Sequence, residues 1–376
     1  MVILDTTSAG VQKFRMIDPH IILSELYNYP ITIITQGNLT DINNVTDDKL
    51  VCHASIAQSE DLTRIVSHLQ KNGMKLIVDV DDYWELPTSH YLYAYAKTNK
   101  LTEKTINLIK KADLVTVTTK HLAKEILKYN NKTAIFPNSL DPKESQLTIK
   151  PTQSDMIRVG WTGGASHLED MKIFRNLGMF TKIRGAQFVM AGFDIRIRDQ
   201  EGKTEENFEK SVWKKYEEII TNNYTTISTE YKKYLFQLDR HLSYYNEQKE
   251  PYRRVWTKPA NKYMKIFNEI DIVVVPLVDN IFNKFKSELK LIEAGFFKKP
   301  VVCSNVRQYA DVIKHGENGF LVDEKRSHKD FTSYTRKLIQ SEQMRVEFGE
   351  RLYEHCYENF NLSTNSKKRL EAYQSL

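Results

Sequence analysis

The sequence predicts an α/β protein made of two parallel-sheet domains. Three observations predict it. Short apolar runs alternate with helical patterns along nearly the whole chain, as in parallel βαβ units. A polar stretch without periodicity, 143–155, contains Pro151 and divides the chain into two parts of domain size. Each part opens on an apolar strand that runs through a glycine turn into a helix. The expected division is 1–142, a linker over 143–155, and 156–360 with a helical insertion at about 196–250, then a last segment, 361–376.

The bulk properties narrow the class. The 376 residues, 41% hydrophobic and 27% charged, suit a globular chain of two ordinary domains. No apolar run reaches the eighteen residues that a membrane span needs. The start, MVILDTT, lacks the basic region and long apolar core of a signal peptide. Cys52, Cys303 and Cys356 have no metal spacing, and the first two sit in strand-like runs as buried thiols, so a reducing cytoplasm is expected. A net charge of +6 suits an anionic ligand, an anionic acceptor or a membrane surface.

In the first part, 1–5 reads as a strand, Ser8-Ala9-Gly10 as a turn, and 14–27 as a helix interrupted by Pro19. Only Gly10 is present, so this is not the GxGxxG fingerprint of nicotinamide dehydrogenases. Strands follow at 31–35, 49–53, 75–80, 113–118 and 133–136, with helices at 60–71, 102–111 and 119–128. The strand 75–80 runs into Asp79-Val80-Asp81-Asp82-Tyr83-Trp84. Carboxylates at the carboxyl end of a parallel strand lie where open sheets bind ligands. Here Asp79, Asp81 and Asp82 could orient a ligand hydroxyl, cap a turn, or hold a divalent ion.

In the second part, 157–161 is a strand that leads into Thr162-Gly163-Gly164-Ala165-Ser166-His167 and a helix. Paired glycines let backbone approach a phosphate, and the helix start adds its dipole. A strand at 186–191 precedes the mixed-charge, tyrosine-rich insertion. Tyr252-Arg253-Arg254-Val255-Trp256-Thr257-Lys258 is the densest basic–aromatic stretch, and one of Arg253, Arg254 and Lys258 is expected to contact phosphate. A helix at 261–267 and a buried strand at 271–276 come next. The segment 286–302, KSELKLIEAGFFKKPVV, then places Ser287 as a helix cap beside Lys286. Leu289, Ile292 and Phe296 mark one buried face; Lys290 and Glu293 fall on an adjacent one at i,i+3. Lysines at a helix start hold phosphate, and a carboxylate one turn deeper suits a sugar diol. After the strand 300–303 come a helix at 307–314, a strand at 319–322, and helices at 329–339 and 344–360.

EAGFFKKPVV followed by Asn318-Gly319-Phe320-Leu321-Val322 resembles the signature of retaining glycosyltransferases of family 4, which have the GT-B fold. ADLVTVTTKHLAKEI with PNSLDP resembles the close of that family's N-terminal domain, with Ser139 in place of a glycine. The resemblance is strongest over 271–322. It implies two Rossmann-like domains facing a cleft, with 361–376 crossing back to the first. In that fold the first loop approaches donor phosphate or acceptor, which Gly10 and Arg15 could do here. Glu293 matches the family's ribose-binding glutamate, while Phe285 stands where a second glutamate is common. KSELKLIEAG looks like the Lys-Ser-x-x-Lys-x-x-Glu variant of phage and bacterial-surface enzymes.

The function implied is transfer of a sugar from a nucleoside diphosphate sugar, a UDP-sugar first among them, with retention of configuration. Gly10, Gly163, Gly164, His167, Arg254, Lys286, Ser287, Lys290 and Glu293 would bind the donor. His53, Asp79, Asp81 and Asp82 would face the acceptor, and Asp81, Lys290 and Glu293 are the catalytic candidates. No cofactor is required and no metal is assigned, a divalent ion being permitted but not essential. The acceptor would be a surface glycan or a lipid-linked one, in the cytoplasm of a bacterium or a phage-infected cell. The alternatives are a hydroxymethylated DNA base as acceptor, a noncatalytic scaffold, and a nucleotide-sugar epimerase using Asp81 and His167.

Overall fold

Six short strands form the chain's first sheet: β1 (Val2–Leu4), β2 (Thr32–Ile34), β3 (Lys49–His53), β4 (Lys75–Val80), β5 (Leu114–Val117) and β6 (Thr133–Ile135). A computed structural model describes residues 1–6, 8–35, 47–175, 183–198, 204–221 and 250–376. The order is β2-β1-β3-β4-β5-β6, parallel throughout. Strand period two sorts the side chains into two layers. Val2, Leu4, Leu50, Cys52, Leu76 and Val78 pack against Leu62 and Val66 of the helix Glu60–Lys71 and Leu108 of Leu101–Lys111. Ile3, Val51 and Ile77 pack on the other face against Leu23 of Asp18–Tyr27 and Tyr373 of Leu362–Gln374. This unit comprises Met1–Pro142, Asn280–Ile292 and Glu358–Leu376.

The second unit, Lys143–Asp279 with Glu293–Tyr357, has its own parallel six-stranded sheet. Its strands are β7 (Ile157–Thr162), β8 (Ala186–Phe193), β11 (Tyr252–Trp256), β12 (Ile272–Val275), β13 (Val301–Ser304) and β14 (Phe320–Val322). Between β8 and β11 in the chain lies an antiparallel ribbon, β9 (Arg196–Arg198) and β10 (Thr204–Glu206). The sheet order is β11-β8-β7-β12-β13-β14. Strand order therefore reverses beside β1 in one unit and beside β7 in the other, the places where open sheets take ligands.

Several expectations change. Pro19 does not interrupt a helix; it stands in the first turn of Asp18–Tyr27, where its missing N–H costs nothing. A π-turn, Gln12–Ile17, precedes it, and Gly10 lies inside the short helix Ala9–Val11 rather than in a turn. The insertion is not purely helical, since it starts with the β9–β10 ribbon before the helix Val212–Thr221. Its remainder, 222–249, lies outside the described residues. The helix Tyr93–Thr98 has no counterpart among the expected elements. All three cysteines are buried and free. No helix of the described residues is long and apolar enough to cross a membrane.

The basic–aromatic stretch is the edge strand β11, and its cations are turned to carboxylates. Arg254 is buried, forks onto Glu217, and lies 4.4 Å from the centre of the Phe193 ring. Tyr252 donates its hydroxyl to the same carboxylate at 2.7 Å. Arg254→Ala strands the buried Glu217 charge and should lower unfolding stability by about 3–5 kcal/mol. The double change Arg254→Met with Glu217→Leu should recover most of it. Urea unfolding of the three proteins checks this, and a loss below about 1 kcal/mol, the range of an exposed pair, would contradict the buried role.

Candidate functional site

In the first unit, the carboxyl ends of β3 and β4 carry the polar cluster. Arg15 and Asp79 are each 1% exposed and meet in a fork, Nε to Oδ1 at 2.9 Å and Nη2 to Oδ2 at 2.7 Å. Thr116 donates to the same Asp79 oxygen at 2.5 Å. Burial works against the Asp79 charge, but Arg15 beside it holds the carboxyl down at about 2. Arg15 also donates to the Phe136 carbonyl at 2.7 Å and to the Asn138 side-chain oxygen at 3.3 Å. Arg15 is therefore a buried organiser and not a phosphate contact.

Two residues along, Asp81 accepts from His53 Nε2 at 2.9 Å, while His53 Nδ1 accepts from the Ser55 amide at 3.2 Å. Burial alone would lower the His53 pKa; the Asp81 charge and hydrogen bond reverse this and raise it. Asp81 is correspondingly lowered against its own burial. Asp82 goes the other way. Burial raises it, Asp81 adds to the shift, and Lys286, His53 and Lys290 oppose it. Of the three aspartates expected on the acceptor side, Asp79 is thus sealed into the fold, whereas Asp81 and Asp82 are half-buried beside His53.

The segment 286–293 belongs to the helix Leu289–Phe296 and the residues that lead into it. Ser287 accepts a hydrogen bond from Asn138 Nδ2 at 2.9 Å, so the Arg15 network reaches this segment. Lys286, Ser287 and Lys290 are half-buried and Glu293 is 3% exposed. Phe285, 1% exposed, stacks on Tyr83 at 4.8 Å. The helix is buried more widely than one face: Leu291, Ile292, Ala294 and Phe296 are all covered, while Leu289 is only half so. In the second unit, Glu293 accepts from the Tyr263 hydroxyl, a partner that no sequence signal announces.

Also in the second unit, His167 Nδ1 pairs with Asp170 Oδ2 at 2.8 Å, and the other Asp170 oxygen accepts from the Val278 amide at 2.9 Å. This braces the loop after β7 against the residues that follow β12. The two glycines differ. A Cβ at Gly163 would lie 2.5 Å from the Trp161 ring, and one at Gly192, where φ is +96°, would lie 2.3 Å from the Gly163 carbonyl. The Gly163 amide already donates to the Ala191 carbonyl at 3.3 Å. Gly163 is therefore a packing glycine. Gly164 faces open space, as does the exposed Gly10 of the first unit. The expected phosphate contact from β11 is not presented: Arg254 is held by Glu217, while Arg253 and Lys258 are drawn to Glu269 at 2.6 and 3.8 Å.

The His53–Asp81 pair predicts a pH signature. The folded His53 pKa exceeds its unfolded value of about 6.5, so its stabilisation is complete below that value and disappears as pH rises through the folded pKa. Asp81, lowered, contributes above the ordinary carboxylate pKa and loses its contribution as pH falls. NMR titration of the His53 ring should give a pKa above 6.5, and Asp81→Asn should drop it below, since burial then dominates. An unchanged His53 pKa in the variant would show that Asp81 does not set it.

Residues 253–355 match the family model for glycosyl transferases group 1. A search of curated proteins found no match. The structure is similar to Anabaena HepE in complex with UDP and glucose, with a TM-score of 0.64 at 14% identity over 100% of this chain and 99% of that one. A glycosyltransferase from Rickettsia africae ESF-5 gives 0.63 at 12% identity over 100% and 97%. A point mutant of S. aureus TarM, in complex with fondaparinux, alpha-GlcNAc-glycerol and UDP, gives 0.58 at 14% identity over 89% and 58%. At such identities the likeness is one of fold, and that fold is GT-B. With a group 1 domain on a GT-B fold, the chain is a glycosyltransferase.

Proposed function

We propose that this enzyme moves a sugar from a UDP-sugar to a hydroxyl of a carbohydrate acceptor with retention at the anomeric carbon. The observation that carries the reading is the segment 286–293. Lys286 and Lys290 flank the start of one helix and Glu293 lies one turn deeper, buried. In this reading Glu293 accepts from the ribose hydroxyls, held in place by Tyr263. Lys286, Ser287 and Lys290 hold the diphosphate. As the bond from the anomeric carbon to the phosphate oxygen breaks, charge grows on the leaving diphosphate, and the two ammonium groups stabilise it. The acceptor hydroxyl attacks from the same face and gives its proton to the departing phosphate oxygen, so no protein nucleophile is required. His53, Asp81 and Asp82 orient that hydroxyl. HepE's UDP and glucose, and the sugar ligands of TarM, support the choice of donor and acceptor class.

Isothermal titration with UDP, GDP, ADP and CDP tests the donor. UDP should bind, and Glu293→Ala or Lys290→Ala should weaken it at least tenfold, about 1.4 kcal/mol. Equal binding of all four nucleotides, or no effect of either substitution, would remove the donor assignment. NMR of the product should show the anomeric configuration of the donor retained; an inverted product would end the same-face mechanism.

A further inference from the structure

A run of rings leads away from Lys286 through the first unit. The Lys286 ammonium lies 4.9 Å from the centre of the Phe282 ring. His90 meets Phe282 edge-on at 5.7 Å, and Tyr91 stacks on His90 at 4.8 Å. Lys286 acts on both ends of this arrangement: its charge opposes the upward shift of Asp82, and it joins burial in lowering His90. At the outer end the rings are bare. Tyr91 is 71% exposed and Tyr95 51%, with Leu92 and Ile281 beside them in the chain segments at 40% and 47%. Tyr91 is the most exposed large apolar side chain among the described residues. Tyr95 stands on the helix Tyr93–Thr98, in which only Ala96 is buried.

We propose that this band is an acceptor subsite, in which the sugar rings of a carbohydrate chain stack on Tyr91 and Tyr95. The proposal rests on the glycosyl-transfer reading and specifies where its acceptor lies. Two observations select the occupant. The rings run without a break from Lys286 through Phe282 and His90 to Tyr91, so whatever covers Tyr91 extends from the reacting end. The band's charge is sparse as well: over 83–98 and 281–286 the charged residues are Glu85, Lys97, Lys284 and Lys286. Anionic lipid surfaces are recognised through clusters of lysine and arginine, and nucleic acid strands through stacking rings set in a cationic groove. Three lysines spread along two segments, one of them at the reacting end, form neither such a cluster nor such a groove. The band does have flat apolar faces with hydroxyl tips, complementary to the C–H face and hydroxyl rim of a pyranose.

The experiment uses the full chain, UDP-glucose, a panel of neutral oligosaccharides, and vesicles of phosphatidylglycerol with phosphatidylcholine. Transfer is followed by mass spectrometry and initial rates, UDP affinity by calorimetry. Tyr91→Ala with Tyr95→Ala should raise the KM for the accepted oligosaccharide at least tenfold, with kcat and UDP affinity kept. Tyr91→Phe with Tyr95→Phe should retain most of the affinity. An unchanged KM in the alanine variant overturns the subsite, as does vesicle binding that the variant abolishes. Wild-type UDP binding with no oligosaccharide used also overturns it. Absence of UDP binding would instead remove the reading on which the subsite rests, and the two failures are told apart by that control.

Discussion

The buried fork between Arg15 and Asp79 is the constraint on which the first unit depends. Two charges at 1% exposure persist only when each finds its partners. Arg15 uses its donors on Asp79, on the Phe136 carbonyl and on Asn138; Asp79 also accepts from Thr116. The network therefore joins the helical turn after β1 to the ends of β4, β5 and β6. Through the Asn138 amide it continues to Ser287, at the start of the lysine-bearing segment. Removing either member of such a pair costs about 3–5 kcal/mol. The position of Lys286 and Lys290 is thus tied to a structural network rather than to a free loop.

Phe285 belongs to the same logic. Its side chain enters the core layer that also holds Leu4, Val78 and Leu122, and it stacks on Tyr83. This packing accounts for Asn280–Ile292 grouping with the N-terminal sheet although the chain reaches it after β12. Two attachments, one polar through Ser287 and one apolar through Phe285, bracket Lys286. In the proposed reading, orientation of the acceptor then falls to the half-buried groups of the same unit, His53, Asp81 and Asp82.

The parallel sheets are legible because their strands are short apolar runs with turn residues between them; β3, β4 and the helix Glu60–Lys71 begin and end where the pattern does. Lys286, Lys290 and Glu293 stand out because two lysines and a carboxylate recur at helical spacing at the start of one helix. Arg15, Arg254 and Gly163 have partners inside the fold that their residue types do not announce. An arginine's type does not say whether its fork meets a ligand or an internal carboxylate, and Glu217 lies 37 residues from Arg254. Nor does a glycine pair say which member yields to packing: the Trp161 ring takes Gly163 and leaves Gly164 open. Tyr263 on Glu293 and Asn138 on Ser287 join residues 30 and 149 positions apart, which periodicity cannot foresee. The mixed-charge insertion hides its ribbon because a three-residue strand carries almost no pattern.

Asp81 and Asp82 show what such an arrangement adds. Neighbouring carboxylates pushed in opposite directions take different tasks. Asp81 is kept ionised by His53, and it fixes the imidazole's orientation and tautomer, since Nδ1 is occupied by the Ser55 amide. The Asp82 pKa is raised by burial and by the charge of Asp81, while Lys286, His53 and Lys290 oppose the shift. The two lysines that the proposed reaction sets against the leaving group's charge therefore also act on Asp82, and the first unit ties its half-buried carboxylates to the same ammonium groups.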